Sequence, residues 1–245
     1  MNDHGKPVQI AVEASAKRFR VFLDDAVIAD SVGARLLFET GYQPVIYFPP
    51  EDVAMDRLTR TTQTTRCPHK GEASYWTVAA GDKEAENAAW SYPSPLPTAA
   101  AVAGYVSFEW KKMDRWMEED SPLLGHARDP HKRIDTLPTT RRVKVMAKSE
   151  VLADSRSAVL LFETGLPVRP YFARSDVAMH RLTPSATRTV CPYKGVAGYF
   201  DATVGGTVIR DAVWCYEDPF PEVGLIKGRL AFYPERVDAL EIATR

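Results

Sequence analysis

Two short motifs in this chain combine residue types that can perform acid–base or nucleophilic chemistry. Each reads Cys-Pro-x-Lys-Gly. A thiol beside basic groups can act as a nucleophile, and a partly desolvated lysine can act as a general acid or anchor an anion. A buried cysteine before a turn, with the lysine at the surface, is the structural alternative. The candidate catalytic side chains are Cys67, His69 and Lys70 in the first motif, whereas Cys191, Tyr193 and Lys194 in the second are candidates for binding a substrate.

Carboxylates that could work with these lysines precede the motifs. Glu51 and Asp52 follow two prolines and predict the start of a short helix, where capping and the helix dipole favour acidic residues. Asp176 repeats Asp52, whereas Ser175 replaces the glutamate. A carboxylate facing Lys70 would form an acid–base pair. Glu51 is the stronger functional candidate, because Ser175 at the corresponding position shows that the fold does not require a glutamate there.

Glu39 and Glu163 end two apolar segments, where a carboxylate needs a partner. Arg57 and Arg181 recur at matching positions and are the expected partners. We interpret these pairs as structural, although both arginines are also candidates for binding a ligand.

Aromatic residues are dense around both motifs. Aromatic walls suit a concave site for a planar or cationic small molecule, and simple core packing is the alternative. The candidate binding residues are Tyr75, Trp76, Trp90 and Tyr92, and then Tyr199, Trp214 and Tyr216.

These residues recur because the chain contains an internal duplication. Shifting the sequence by 124 residues, the spacing between Cys67 and Cys191, aligns it with itself. LLFETG at 36–41 then coincides with the same letters at 160–165. We predict two homologous domains, residues 1–120 and 141–245, joined by a polar, proline-containing linker at 121–140. A pair related by pseudo-two-fold symmetry would supply its own symmetric interface, which favours a monomer and leaves a homodimer open.

The apolar pattern predicts mostly β domains. Alternating or β-branched runs indicate strands at 19–23, 27–29, 35–39, 75–79 and 105–110 in the first copy. In the second copy they indicate strands at 143–146, 151–153, 159–163, 199–204 and 229–233. One short helix per copy is predicted after Pro50. The expected class is therefore β-rich α+β, with a small twisted sheet and one short helix in each domain.

Composition excludes several classes of function. The 245 residues carry a formal net charge of −1, which argues against nucleic-acid binding by bulk charge. No apolar run reaches the roughly 18 residues of a membrane span. Met1–Val12 lacks the apolar core of a secretory signal, and three distant cysteines favour a reducing, cytoplasmic setting. No phosphate-loop, dinucleotide-binding, nucleophile-elbow or zinc-protease motif occurs, and Cys67 with His69 is too small a ligand set to predict a metal.

Seven segments together resemble the domain-of-unknown-function 427 family over roughly residues 18–240. The segments are YFPPEDVAMDRL, CPHKGEASYW, ENAAWSY and GYVSFEW in the first copy, and CPYKGVAGYF, DAVWCYEDPFPEV and IKGRLAFY in the second. The resemblance implies a compact, tent-like β-rich fold in tandem and no agreed activity. Members often show Arg-Glu-Asp at the start of the short helix. Here the first copy lacks the arginine and the second lacks the glutamate, which predicts divergent roles.

The family sometimes carries a nucleotidyltransferase label. This chain has no Gly-Ser step followed by a strand with paired aspartates to hold two metal ions. We therefore expect a protein that binds a small molecule and acts on it as a cofactor-free acid–base enzyme of isomerase, cyclase, lyase or hydrolase type. A non-catalytic metabolite-binding module and an interaction protein are the alternatives.

Overall fold

A computed structural model describes residues 7–244. Residues 1–6, which belong to the stretch expected to lack a secretory signal, lie outside the described part of the chain, as does Arg245. The chain divides between Asp129 and Pro130 into two compact units. We call these units the first copy and the second copy.

The first copy contains eleven strands within the described residues. They are β1 Ile10–Ala14, β2 Phe19–Leu23, β3 Ala26–Ser31, β4 Arg35–Glu39, β5 Val45–Tyr47, β6 Leu58–Cys67, β7 Gly71–Ala80, β8 Lys83–Ser91, β9 Val106–Phe108, β10 Arg115–Glu118 and β11 Ser121–Pro122.

The second copy, as far as it is described, repeats the first ten of these strands exactly 124 residues later. They are β12 Ile134–Pro138, β13 Val143–Ala147, β14 Glu150–Ser155, β15 Val159–Glu163, β16 Arg169–Tyr171, β17 Leu182–Cys191, β18 Gly195–Val204, β19 Thr207–Cys215, β20 Leu230–Phe232 and β21 Ala239–Ile242. This agreement of boundaries confirms that the duplication in the sequence is a duplication of the fold.

Helical structure in the described residues consists of short 3-10 segments. The helix predicted after Pro50 forms two separate three-residue turns, because Val53 is extended and Ala54 also departs from helical backbone angles. The segments are Pro50–Asp52, Met55–Arg57, Pro97–Val102 and Trp110–Lys112 in the first copy, and Arg174–Asp176, Met179–Arg181, Pro221–Ile226 and Pro234–Arg236 in the second.

Each copy is built from three small antiparallel sheets. In the first copy the strand orders are β1-β4-β5, β11-β10-β2-β3 and β6-β7-β8-β9. The second copy has the orders β12-β15-β16, β14-β13-β21 and β17-β18-β19-β20. The mostly β prediction is therefore confirmed.

Two apolar clusters lie in each copy, one on either face of the four-stranded sheet. Successive residues of a strand point to opposite faces, so Trp76 packs with one cluster and the adjacent Tyr75 with the other. Phe200 and Tyr199 repeat that division in the second copy. The aromatic residues singled out by the sequence thus do not all share one site.

Part of the segment predicted as a linker is strand. Within 121–140, β11 pairs with β10, and β12 pairs with β15 in register from Ile134 opposite Glu163. The polar, proline-containing composition suggested a connection between the domains. β12 nevertheless forms a strand, because it lies at the edge of its sheet, where only alternate residues need to be apolar. The second copy begins correspondingly earlier than predicted.

Candidate functional site

A cluster of seven side chains surrounds the apolar face shared by β4, β5, β7 and β8, and every one is identical in the two copies. Tyr and Trp rings form its body, a cysteine lies at its edge, and a Lys–Glu ion pair closes one end. The residues are Glu39, Tyr47, Cys67, Lys70, Tyr75, Trp90 and Tyr92, repeated as Glu163, Tyr171, Cys191, Lys194, Tyr199, Trp214 and Tyr216.

The ion pair joins the end of β4 to the turn before β7. Lys70 donates from Nζ to Glu39 Oε2, and both side chains are mostly buried, at 14% and 12% exposed. Neither Glu51 nor Asp52 contacts Lys70 among residues 7–244. The expected acid–base partners of Lys70, Glu51 and Asp52, are therefore wrong. The carboxylate that pairs with Lys70 is Glu39, at the end of β4.

The residues around Pro50 have their own local partners. Asp52 accepts a hydrogen bond of 2.6 Å from Ser31 Oγ, and Asp176 accepts one of 2.5 Å from Ser155. Glu51 is exposed. This set fastens each 3-10 turn to the neighbouring strand, which is a structural role, but neither turn has the side-chain cap that the sequence predicted.

The expected ion pairs from Arg57 and Arg181 are also corrected. Glu39 bonds Lys70, and Arg181 pairs with Glu150 instead of Glu163. Arg57 ends the 3-10 turn Met55–Arg57. Both arginines therefore lie outside the lysine–glutamate cluster.

The second copy differs at the ion pair by one additional cation. Lys194 Nζ lies 2.5 Å from Glu163 Oε2, and Lys132 Nζ lies 2.8 Å from Oε1 of the same carboxylate. The Lys132 ammonium also lies 5.1 Å from the centre of the Tyr193 ring. Val8 and His69 occupy the corresponding positions of the first copy, so this second lysine is specific to the second copy.

The extra lysine alters the electrostatics of Glu163. Burial disfavours the carboxylate charge, but the hydrogen bonds from Lys132 and Lys194 outweigh burial and hold the pKa of Glu163 below its usual value. The pKa of Lys132 is raised, because its contact with Glu163 outweighs the desolvation that opposes its charge. Both carboxylate oxygens of Glu163 are thus engaged, whereas Glu39 has Lys70 as its only side-chain partner within the described residues.

A cavity of about 570 Å³ adjoins the ion pair in the first copy. Glu39, Lys70 and Cys67 line it together with Tyr42, and the remaining lining residues are Leu37, Gln43 and Val45. This volume falls within the range of small-molecule sites. It brings a cation, an anion and a thiol to one partly apolar wall.

Indole-to-phenol hydrogen bonds fix the aromatic body. Trp90 donates from Nε1 to Tyr47 Oη at 3.1 Å, and Trp214 donates to Tyr171 at 3.0 Å. The two rings of each pair meet edge to face. Burial raises the pKa of Tyr47 and Tyr171 well above the ordinary value, so both phenols stay neutral.

Further polar contacts hold the neighbouring tyrosines. The hydroxyl of Tyr75 lies 2.8 Å from Thr65 Oγ1, and that of Tyr199 lies 2.7 Å from Thr189 Oγ1. Tyr92 and Tyr216 are buried, which raises the pKa of each phenol. Tyr75, Trp90 and Tyr92 do not line the first-copy cavity, so the structure shows them as packed core beside the ion pair.

Trp76 lies apart from this group. Its ring is 5.7 Å from the Arg60 guanidinium and packs on the opposite cluster. His69 lies between Cys67 and Lys70 in the turn, and its carbonyl accepts a 2.6 Å hydrogen bond from Thr98 Oγ1. The three cysteines are free thiols, and residues 7–244 contain no group of three or more His, Cys, Asp or Glu placed to hold a metal ion.

Sequence reasoning identified the lysines, cysteines and most of the aromatics, and it missed Lys132 and Tyr42. Lys132 lies within the predicted linker and has no charged counterpart in the first copy, so the repeat pattern could not reveal it. Tyr42 is 72% exposed and lies in the loop after β4, where sequence alone gives no sign of a cavity.

These features define a tandem, β-rich protein whose copies share an aromatic cluster closed by a lysine–glutamate pair. The family described as domain of unknown function (DUF427) matches residues 11–119 and again residues 135–242, and the chain belongs to that family. No curated protein matched the chain. Within residues 7–244, no helix is long and apolar enough to cross a membrane.

Proposed function

We propose that the first copy binds a small organic molecule in the cavity beside Lys70 and transforms it by cofactor-free acid–base chemistry. The observation that carries this proposal is the difference between the two ion pairs. Glu39 and Lys70 line an open cavity and, among residues 7–244, form an ion pair only with each other, whereas Lys132 engages the second oxygen of Glu163. The second copy then serves mainly as a scaffold at this position.

The pair suits proton transfer next to a carbonyl group. The Glu39 carboxylate would accept a proton from a carbon beside the carbonyl, and the electron pair of that C–H bond would move to the carbonyl oxygen. The Lys70 ammonium would stabilise the resulting oxyanion by hydrogen bonding. Returning the proton to a different carbon completes an isomerisation, and expelling a neighbouring group completes an elimination.

The surroundings support these roles. A substrate entering the cavity displaces water from a mostly buried ion pair, which strengthens its electrostatic effect. The apolar Leu37 and Val45 and the phenol of Tyr42 offer contacts for a carbon skeleton. The rigid aromatic body behind the pair holds both charged groups in place.

Deuterium exchange tests the chemical step directly. The protein is incubated in D₂O with a panel of 2-oxo and 3-oxo acids, and loss of the C–H signal beside the carbonyl is followed by proton NMR. We expect saturable exchange with at least one of these acids, which Glu39→Gln and Lys70→Met reduce at least a hundredfold.

Glu163→Gln is the matched control, because it makes the same change in the second copy. We expect it to leave the exchange rate within about twofold of wild type. Equal loss in Glu39→Gln and Glu163→Gln would contradict the assignment to the first copy. Saturable binding without exchange would favour the non-catalytic binding module.

A further inference from the structure

A second and larger cavity, of about 660 Å³, lies in the second copy on the sheet formed by β17, β18 and β19. Its floor includes Gly198 and Phe200 of β18, which lie on the sheet face opposite the lysine–glutamate cluster, and Tyr199 of that cluster also lines it. Arg174 and Arg188 form part of its wall. The proposed acid–base site lies in the first copy, so this cavity is separate from it and does not depend on it.

The charges around this cavity leave one cation unmatched. Arg174 bonds Glu217, and Lys227 lies 3.0 Å from Asp218, so both carboxylates of the wall have cationic partners. Arg188 has no carboxylate partner within the described residues. An anion is the ligand that this balance favours.

The Arg188 guanidinium is held in place before any ligand binds. Nη1 donates to the carbonyls of Ser185 and Thr187 at 3.1 and 2.7 Å. Ser185 and Thr187 lie where the pairing of β17 with β18 shifts register. Their side-chain hydroxyls both donate hydrogen bonds to the carboxylate of Asp211, which holds this irregular stretch in place. Nε and Nη2 of Arg188 have no acceptor among residues 7–244, so they remain available to a ligand.

Gly198 and Phe200 give the cavity a flat apolar floor. A Cβ at Gly198 would lie 3.6 Å from the Arg188 Cζ atom, so any larger side chain there would extend towards the guanidinium. The Phe200 ring lines the cavity with the Arg174 guanidinium 5.8 Å from its centre, so a planar group in the cavity would pack against both of these side chains. The Cys215 thiol at the floor stays protonated, because burial raises its pKa to about 12.

This surface has changed chemically since the duplication. In the first copy Arg60 bonds Ser74 Oγ at 2.9 Å, across the same pair of strands. Five residues that line the cavity in the second copy differ in type from the residues at the corresponding positions of the first copy. The pairs are Arg174 and Pro50, Arg188 and Thr64, Val196 and Glu72, Gly198 and Ser74, and Glu217 and Pro93.

We propose that this cavity binds a small aromatic carboxylate, with the carboxylate on Arg188 and the ring against Phe200. A guanidinium with two free N–H directions matches the two oxygens of a carboxylate. The exchange of Glu72 for Val196 removes a repelling charge and adds apolar contact.

Titration with 2-naphthoate tests the proposal, with neutral 2-naphthamide as the matched ligand. Calorimetry should show one saturable site per chain for the anion and at least tenfold weaker binding of the amide. Arg188→Gln, a change at an exposed position, should weaken 2-naphthoate binding at least tenfold. Gly198→Leu should do the same by filling the cavity.

Arg60→Gln removes the first-copy arginine that crosses the corresponding pair of strands, although it does not occupy the repeat position of Arg188, and it should leave the affinity unchanged. Lys70→Met tests whether the probe enters the other cavity instead. Less than tenfold loss in Arg188→Gln, equal affinity for the amide, or loss confined to Lys70→Met would each overturn the proposal. None of these results depends on turnover at the first-copy site.

Discussion

Glu39 and Glu163 occupy the same position in the two copies and differ in how many lysines contact them. Glu39 and its one lysine carry no net charge and lie at the edge of a cavity. Glu163 and its two lysines carry a net positive charge, and both oxygens of the carboxylate are bound. Lys132 is therefore one of the differences between the proposed site of the first copy and its counterpart, together with Tyr42, Gln43 and Val45, which the second copy replaces with Leu166, Pro167 and Arg169.

The pH dependence of stability should expose the second pair. The pKa of Glu163 is lowered in the folded state, so its stabilising contribution is fully present above the unfolded value of about 4.5 and is lost as pH falls through the folded value. We expect the free energy of unfolding of the second copy to fall below about pH 4.5, and to fall less steeply in Glu163→Gln.

Urea unfolding at several pH values, followed through the indole N–H resonance of Trp214, measures this effect. Trp214 is the one tryptophan after residue 130, so its signal reports the second copy. Identical slopes of free energy against pH in wild type and Glu163→Gln would contradict the prediction.

The buried phenol of Tyr47 should contribute measurably to stability. Tyr47→Phe removes the acceptor of the Trp90 indole N–H and leaves that donor without its bond, which costs about 1–2 kcal/mol. Tyr42→Phe, at an exposed phenol of the same copy, should change stability by less than about 0.5 kcal/mol. Equal effects in chemical denaturation would show that the hydrogen bond is energetically unimportant.

At the scale of elements, strands with alternating or continuous apolar residues could be predicted from the sequence, and strands made mostly of polar residues could not. β2, β4 and β15 have the predicted boundaries, because apolar residues dominate them. β6 reads LTRTTQTTRC and is largely exposed at a sheet edge, so its sequence carries no apolar signal. Backbone pairing with β7 forms that strand.

The site was predictable only in part for the same reason. The Cys-Pro-x-Lys-Gly turn and the aromatics are local or repeated patterns, so the sequence revealed them. The partner of Lys70 depends on how the end of β4 meets the turn before β7, which is a long-range contact. Local reasoning preferred the nearer acids Glu51 and Asp52, and these bind their own turn.

The turn that carries the lysine depends on a glycine. Gly195 has a φ of +103°, and an added Cβ would lie 3.4 Å from the backbone oxygen of Asp218. Gly195→Ala should therefore destabilise the second copy by about 1–3 kcal/mol. Gly224→Ala, where the added Cβ meets open space, should be close to neutral. Denaturation curves compare the two, and equal stability would contradict the strained-turn interpretation.

At the scale of the whole molecule, each copy contains its own core. Every apolar cluster of the described residues draws its members from one side of the Asp129–Pro130 boundary. We therefore expect residues 130–245 to fold without the first copy. Nitrogen–proton NMR spectra of the fragment should overlay on those of the full chain, and a collapsed, poorly dispersed spectrum would contradict this expectation.

The most direct test of the account is a crystal structure of the protein soaked with levulinate, a small keto acid. We expect density in the first-copy cavity, with a ligand oxygen within hydrogen-bond distance of Lys70 Nζ and a carbon next to Glu39. We also expect Lys132 to remain bound to Glu163 in the second copy. Levulinate bound at Lys194, or a first-copy cavity filled by side chains in every crystal, would contradict the account.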